Sequence, residues 1–279
     1  MIEILTDSCS DLSQELLDSH HIRQIPFIVT LGEETFLDGK TITTPQLFEK
    51  VAKNGQLPKT AAPSPGDFAA LFDSSDEMIY IGISSQLSAG HQVASKVAES
   101  LPEKKIHVVD SHNLSTGIGL LVLSACDLRD QGCTVEQIIA GVEQVKPRIH
   151  TTFVIDTLDY LYKGGRCSAM ERVMGSMLHI RPVIEVNANT GTMDVKEKIN
   201  GSRRKALKSM LVDFEGHLPN IDLKRVFLTH TGCDADALYL KEELLKLAPI
   251  ENVYITNAGC TIASHAGPDT IGILYILKA

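Results

Sequence analysis

The sequence predicts an α/β protein of two lobes, each with a central sheet, mostly parallel with some antiparallel strands, flanked by helices. Three observations carry this expectation. Apolar, β-branched runs alternate with helix-periodic segments along most of the chain. Those segments open with Ser or Thr caps, several followed by proline. Near residue 150 the pattern changes and a hairpin signal appears, which sets expected lobes at 1–148 and 149–279, divided close to Pro147.

The elements follow in order. "IEILTD" is a first strand, and "SDLSQELLDSHH" a helix with Ser10 as cap and Leu12, Leu16 and Leu17 on one face. "IRQIPFIVTLGEETFLDG" reads as strand, turn and short strand; "TPQLFEKVAKNG" is a helix with Thr44 as cap, and "PSPGDFAALF" repeats the device with Ser64 and Pro65. "MIYIGIS" and "IHVVDS" are buried strands, leading into "SAGHQVASKVAES" and the long helix "GIGLLVLSACDLRDQG". Thr134 and Gln137 form a capping box for the next helix. Beyond it, "TTFVID" is a strand, "RPVIEVNANTGTMDVKEKI" a hairpin turning at Asn189–Gly191, and two helices alternate with three strands to the end.

Composition narrows the function. The 279 residues are 43% hydrophobic and 22% charged, a globular profile, and the formal charge of -9 argues against nucleic acid or an anionic membrane as the main partner. At most transient membrane contact is expected. No apolar run approaches membrane length, and the opening "MIEILTDSCS" lacks secretory features, so the expected location is cytoplasmic. Six cysteines without a CxxC pair predict structural thiols and no metal site. Neither GxGxxG nor GxxxxGK[ST] occurs, which disfavours a dinucleotide or P-loop function.

Ligands of α/β sheets bind beyond the carboxyl ends of strands. That rule selects "TDSCSD", "ISSQLSAG", "VDSHNLSTG" and the loop around Thr60. Ser84, Ser85 and Ser88 concentrate hydroxyls where donors can converge on a carboxylate or phosphate, or simply cap a helix. His265, in "ASHAGPDTIG" between small residues, is a base, a carboxylate partner or a structural histidine. A serine hydrolase using Ser84 or Ser85 with His265 and Asp110 is an alternative without a GxSxG elbow, and a small-carboxylate sensor is a third. Between Lys163 and Lys208 lie ten basic and four acidic residues; "KGGR" and "SRRK" within it suit an acidic protein or a phosphate.

Together, "TDSCSDL", "TAAPSPGDF", "GISSQLSAGHQVA", "VVDS", "DTLDYLYKGGRCS" and "HAGPDTIG" resemble the DegV family over nearly the whole chain. Departures fall at Gln86, Ala89–His91, Cys260 and Asn200. The resemblance implies a lipid-binding protein with no catalytic activity alone and no cofactor. It would hold a long-chain fatty acid in an apolar tunnel and present its carboxylate to a partner, the catalytic subunit of a fatty acid kinase, for conversion to acyl phosphate. It assigns the carboxylate to Thr60, Ser84, Ser85 and His265, and the phosphate or the kinase to Arg166, Arg203 and Arg204. Met170, Met174 and Met177 are candidates to line the tunnel, since methionine adapts to irregular shapes.

Overall fold

The computed structural model describes residues 2–157, 159–166 and 180–279, so Met170, Met174 and Met177 lie outside the described residues. The described residues fold as α/β, with three sheets among them. In the first, β1 (Ile2–Asp7), β2 (Arg23–Ile25), β6 (Glu77–Gly82) and β7 (Ile106–Asp110) run parallel in the order β2-β1-β6-β7. β6 is buried along nearly its whole length, which explains its near-continuous apolar sequence, while β1 buries Ile4 and Leu5 and ends in the buried polar pair Thr6 and Asp7. A small antiparallel sheet, β4 (Glu34–Leu37), β3 (Ile28–Leu31) and β5 (Lys59–Ala61), stands beside it.

The second large sheet contains β8 (Ile149–Val154), β9 (Ile180–Asn187), β10 (Thr192–Asn200), β11 (Ile221–His230), β12 (Val253–Asn257) and β13 (Ile271–Leu277), ordered β10-β9-β8-β13-β11-β12. Here the balance of directions expected from the sequence is reversed: only the β11–β12 seam is parallel. The last strand inserts between β8 and β11 and runs against both. Strand direction follows from which strands become neighbours, and alternation along the chain does not encode that.

Helix α5 (Thr116–Asp130) joins the two sheets. Ile118, Leu120, Leu121, Val122, Leu123 and Cys126 are all fully buried, so the helix is apolar around its circumference, as one between two layers must be. It touches β1 and β6 on one side and β8, β11 and β13 on the other, within one core that also takes in α1 (Gln14–Ser19) and α6 (Val135–Val145). Outside the first sheet, α3 (Pro65–Leu71) and α4 (Gly90–Ser100) pack on Phe72 and Tyr80. Outside the second, α8 (Arg203–His217) and α9 (Asp234–Leu247) cover Val154, Leu228 and Tyr275.

Local chemistry shifts two caps by a few residues. The α1 cap is Ser13, whose hydroxyl accepts from Leu16 N–H; Ser10 instead closes a 3-10 turn. The cap of α2 (Thr44–Asn54) is Thr43, boxed with Gln46. Ser64 and Pro65, and the Thr134–Gln137 box, stand as expected. The β9–β10 hairpin turns at Asn189–Gly191, where Gly191 takes a φ of 76°.

Candidate functional site

The site begins with a short helix that the sequence reading treats as a loop. α10 (Cys260–Ala266) starts at Gly259, which has no side chain to cap it. Its free N–H groups are satisfied by carboxylates from far upstream. Cys260 and Thr261 N–H donate to Asp38 at 2.6 and 3.0 Å, and Gly259 N–H donates to Asp11 at 2.7 Å. The Ser8 and Ser115 hydroxyls donate to the same two carboxylates. "TDSCSD" thus supports a helix instead of facing a ligand. Burial pushes the Asp11 carboxyl well up and that of Asp7 up to about 6; Asp7 accepts from Cys9 and Ile83 N–H and from the Tyr80 hydroxyl.

The last turn of α10 carries His265, whose Nε2 lies 2.7 Å from Thr60 Oγ1 on β5. Burial, and secondarily the Arg166 charge, lower the imidazole to about 4, so it is neutral at pH 7. A neutral imidazole and a hydroxyl own two polar protons, and their mutual bond uses one. When Nε2 carries the proton and donates to Thr60, the threonine hydroxyl proton remains for a ligand; in the other tautomer the remaining proton is on Nδ1, which is buried against Gly164. α7 (Asp159–Gly164) ends against the ring: a Cβ on Gly164 would stand 2.4 Å from His265 Nδ1. Glycine is required there by space.

Thr60, Arg166 and His265 all line a cavity of about 350 Å³ between the two large sheets. Its walls are mostly apolar, with Phe27, Ile83, Leu114, Phe153, Leu161 and Leu274 among them. Size and lining suit a small-molecule ligand with a long apolar part. Arg166 and Ser88 also border a polar hollow outside the cavity, which places both where the interior meets the surface. The Arg166 guanidinium donates to the Leu87 and Gly164 carbonyls.

The serine pair does not join this group. Ser84 is fully buried; its hydroxyl donates to Gly191 O at 2.9 Å and accepts from Gln86 N–H, pinning the β9–β10 turn to the first sheet. Ser85 is exposed on the outer hollow, its N–H donating to Asp110. The serine that does stand on the cavity wall is Ser88, four residues on, its hydroxyl accepting from Gly90 N–H. The signal for it was the hydroxyl cluster itself, which spacing alone could not resolve. His230, also on the cavity wall and buried, had no sequence signal beyond ending a strand. The hydrolase triad is not assembled either: His265 pairs with Thr60, and Asp110 serves the N–H groups of Ser85 and His112.

The basic cluster divides. Arg203 turns inward: its Nε bonds Asp236 and its Nη1 stands 3.7 Å from Asp156, while Nη1 and Nη2 are buried without a hydrogen-bond partner among the described residues. Arg204 lies over the Tyr239 ring at 3.2 Å from the centroid, on the outer helical layer. Neither lines the cavity. Five cysteines are free among the described residues, and burial pushes those of Cys126, Cys233 and Cys260 up to about 12, so they are poor nucleophiles. No helix among the described residues is long and apolar enough to cross a membrane.

Fold and site therefore define an α/β protein that encloses, between its two large sheets, a mostly apolar cavity lined by a threonine–histidine pair and an arginine. The chain belongs to the DegV family: a family model described as "Uncharacterised protein, DegV family" matches residues 1–278. It is 31% identical over 280 residues to a DegV domain-containing protein of Caldanaerobacter subterraneus subsp. tengcongensis, covering 98% of each chain. A DegV family protein from Thermus thermophilus, solved for its fatty acid binding, superposes with a TM-score of 0.92 at 30% identity over 99% of both chains. The Fatty Acid Kinase (Fak) B3 protein of Streptococcus pneumoniae, solved loaded with linoleic acid, shares the fold at a TM-score of 0.86 and 22% identity, with 100% of both chains covered.

Proposed function

We propose that this chain binds one long-chain fatty acid in the cavity, with the carboxylate at Thr60, His265, Ser88 and Arg166, and presents it to a partner kinase in the cytoplasm. The observation that carries this reading is the cavity itself: a mostly apolar interior with the Thr60 hydroxyl and a neutral His265 paired on its wall, next to a cation. Each buried CH₂ contributes about 0.8 kcal/mol, so a long acyl chain supplies the affinity while the polar end fixes its direction. The Thermus relative's fatty acid binding supports the ligand class.

The chain then acts as a carrier. A carboxylate oxygen attacks the γ-phosphorus of ATP held by the kinase, the bond to ADP breaks, and an acyl phosphate forms on the carrier. Arg166, at the boundary between cavity and outer hollow, is the cation placed to meet the added phosphate charge. In this reading the catalytic groups for phosphoryl transfer belong to the partner. The kinship in fold to the Fak B3 protein supports this role.

A thermal-shift series tests the ligand class. Long-chain fatty acids should raise the melting temperature in a chain-length-dependent way, and acetate or citrate should not. Stabilisation by small carboxylates alone would favour a sensor of small acids. Mixing the loaded protein with a fatty acid kinase catalytic subunit and ATP should yield acyl phosphate, with Arg166→Glu slowing that step more than it weakens lipid binding.

A further inference from the structure

A second cluster of chemistry lies on the opposite face of the six-stranded sheet. Side chains alternate along a strand, so while Thr151 and Phe153 of β8 face the cavity, His150 faces α8. There it meets Asp213 and His217, which lie one helical turn apart and share a helix face. His150 Nε2 is 2.9 Å from Asp213 Oδ2, and His217 Nδ1 is 3.9 Å from Asp213 Oδ1. One ligand atom from each of the three lies within 4.8 Å of the others.

The cluster already holds a cation. Lys196 Nζ sits 2.7 Å from Asp213, 3.1 Å from Glu185 and 3.5 Å from His150 Nε2. Lys196 falls where the β9–β10 register slips, between Val195 and Glu197. A bulge re-aims the residue it inserts, and this one delivers an ammonium into a ring of acceptors. The groups around it are those of a metal site with its outer shell. Glu185 stands 3.8 Å from His150 Nδ1, where it orients that imidazole, and the Tyr275 hydroxyl, 3.0 Å from His217 Nδ1, is a further polar neighbour of the cluster.

We propose that His150, Asp213 and His217 form a binding site for one divalent transition-metal ion of the zinc class, with the Lys196 ammonium holding the cation position until the metal displaces it. Two imidazoles and one carboxylate select such an ion over magnesium or calcium. Zinc takes nitrogen and oxygen ligands at about 2.0–2.2 Å, so the three side chains close on it with shifts of about an ångström. Lys196, on a flexible four-carbon stem, swings to Glu185 and solvent. The bound ion would tie β8 to α8 and raise stability without touching the lipid cavity.

Titration of the EDTA-treated protein with Co²⁺ and Zn²⁺ tests this. The wild type should bind one equivalent, with a visible Co²⁺ spectrum of low coordination number and a raised melting temperature. Lys196→Met should tighten binding tenfold or more, a gain that no folding defect can produce. His217→Ala and Asp213→Asn should each weaken it tenfold or more while fatty acid binding stays within twofold. Absence of saturable one-to-one binding in both wild type and Lys196→Met would overturn the proposal, as would equal affinity in wild type, His217→Ala and Asp213→Asn.

Discussion

Thr60 Oγ1 and His265 Nε2 meet at 2.7 Å across 205 residues of sequence, joining a strand of the small sheet to the last turn of a helix from the other end of the chain. Because they share one hydrogen bond, they act on a ligand as a unit. Thr60→Val and His265→Ala should each weaken fatty acid binding by about 1.5–3 kcal/mol, the range for bonds to a charged group, or roughly ten- to a hundredfold. The double variant should lose less than the sum. Displacement of a fluorescent fatty acid measures all three; additive losses would show two independent contacts.

The same histidine makes the ligand-free protein acid-sensitive. Its folded value of about 4 lies below the ordinary 6.5, so the unfolded chain takes up the proton first. Stability from keeping it neutral is complete above about 6.5 and is lost as the pH falls toward 4. Asp7 works the other way: raised to about 6, it favours the folded state as the pH falls through that value. The two partly cancel in the wild type, and a difference separates them. Denaturant melts should show His265→Gln gaining on the wild type between pH 7 and pH 5; a constant gap would assign the acid limb elsewhere.

Asp38 holds α10 by its first N–H groups, so its effect should reach the cavity. Asp38→Ala leaves two backbone donors and the Ser8 hydroxyl unpaired in a buried place, at a cost of about 2–4 kcal/mol. Fatty acid affinity should fall with it. Asp67→Ala, which opens the comparable cap of α3 away from the cavity, should cost about 1 kcal/mol and leave affinity unchanged. Calorimetry on both variants at a temperature where each is folded makes the comparison.

Two serines four residues apart should separate cleanly. Ser84→Ala unpairs Gly191 O and should lower stability by about 1–3 kcal/mol with affinity retained. Ser88→Ala, at the cavity wall, should do the reverse. Unfolding curves and lipid titrations on the two proteins decide; a loss of affinity in Ser84→Ala at full stability would return the serine pair to the head group.

Much of this was legible in the sequence. Glu77–Gly82 announces itself because a buried strand favours apolar residues, and Ser64–Pro65 because a serine cap and a first-turn proline coincide there, whereas at Thr44–Pro45 the cap falls one residue earlier. Thr60, Arg166 and His265 stand out in the sequence as candidates, and the structure brings all three to the wall of one cavity. What failed depended on partners far along the chain. α10 is too short to show a period, and its cap lies more than two hundred residues upstream in Asp38. "SRRK" looks like a free basic face until Arg203 is seen turned onto Asp236 from the neighbouring helix. Ser84 and Ser88 have the same side chain and neighbouring positions; only the hairpin turn arriving at Gly191 takes one of them out of use.

The central claim, that this cavity holds a fatty acid, is tested most directly by native mass spectrometry of the purified protein followed by denaturing extraction. A long acyl chain buried at about 0.8 kcal/mol per CH₂ should survive purification. The account predicts a one-to-one mass increment that is released on denaturation as a long-chain fatty acid, and that is reduced in His265→Ala. A protein that carries no lipid and takes up none when fatty acid is added would contradict it.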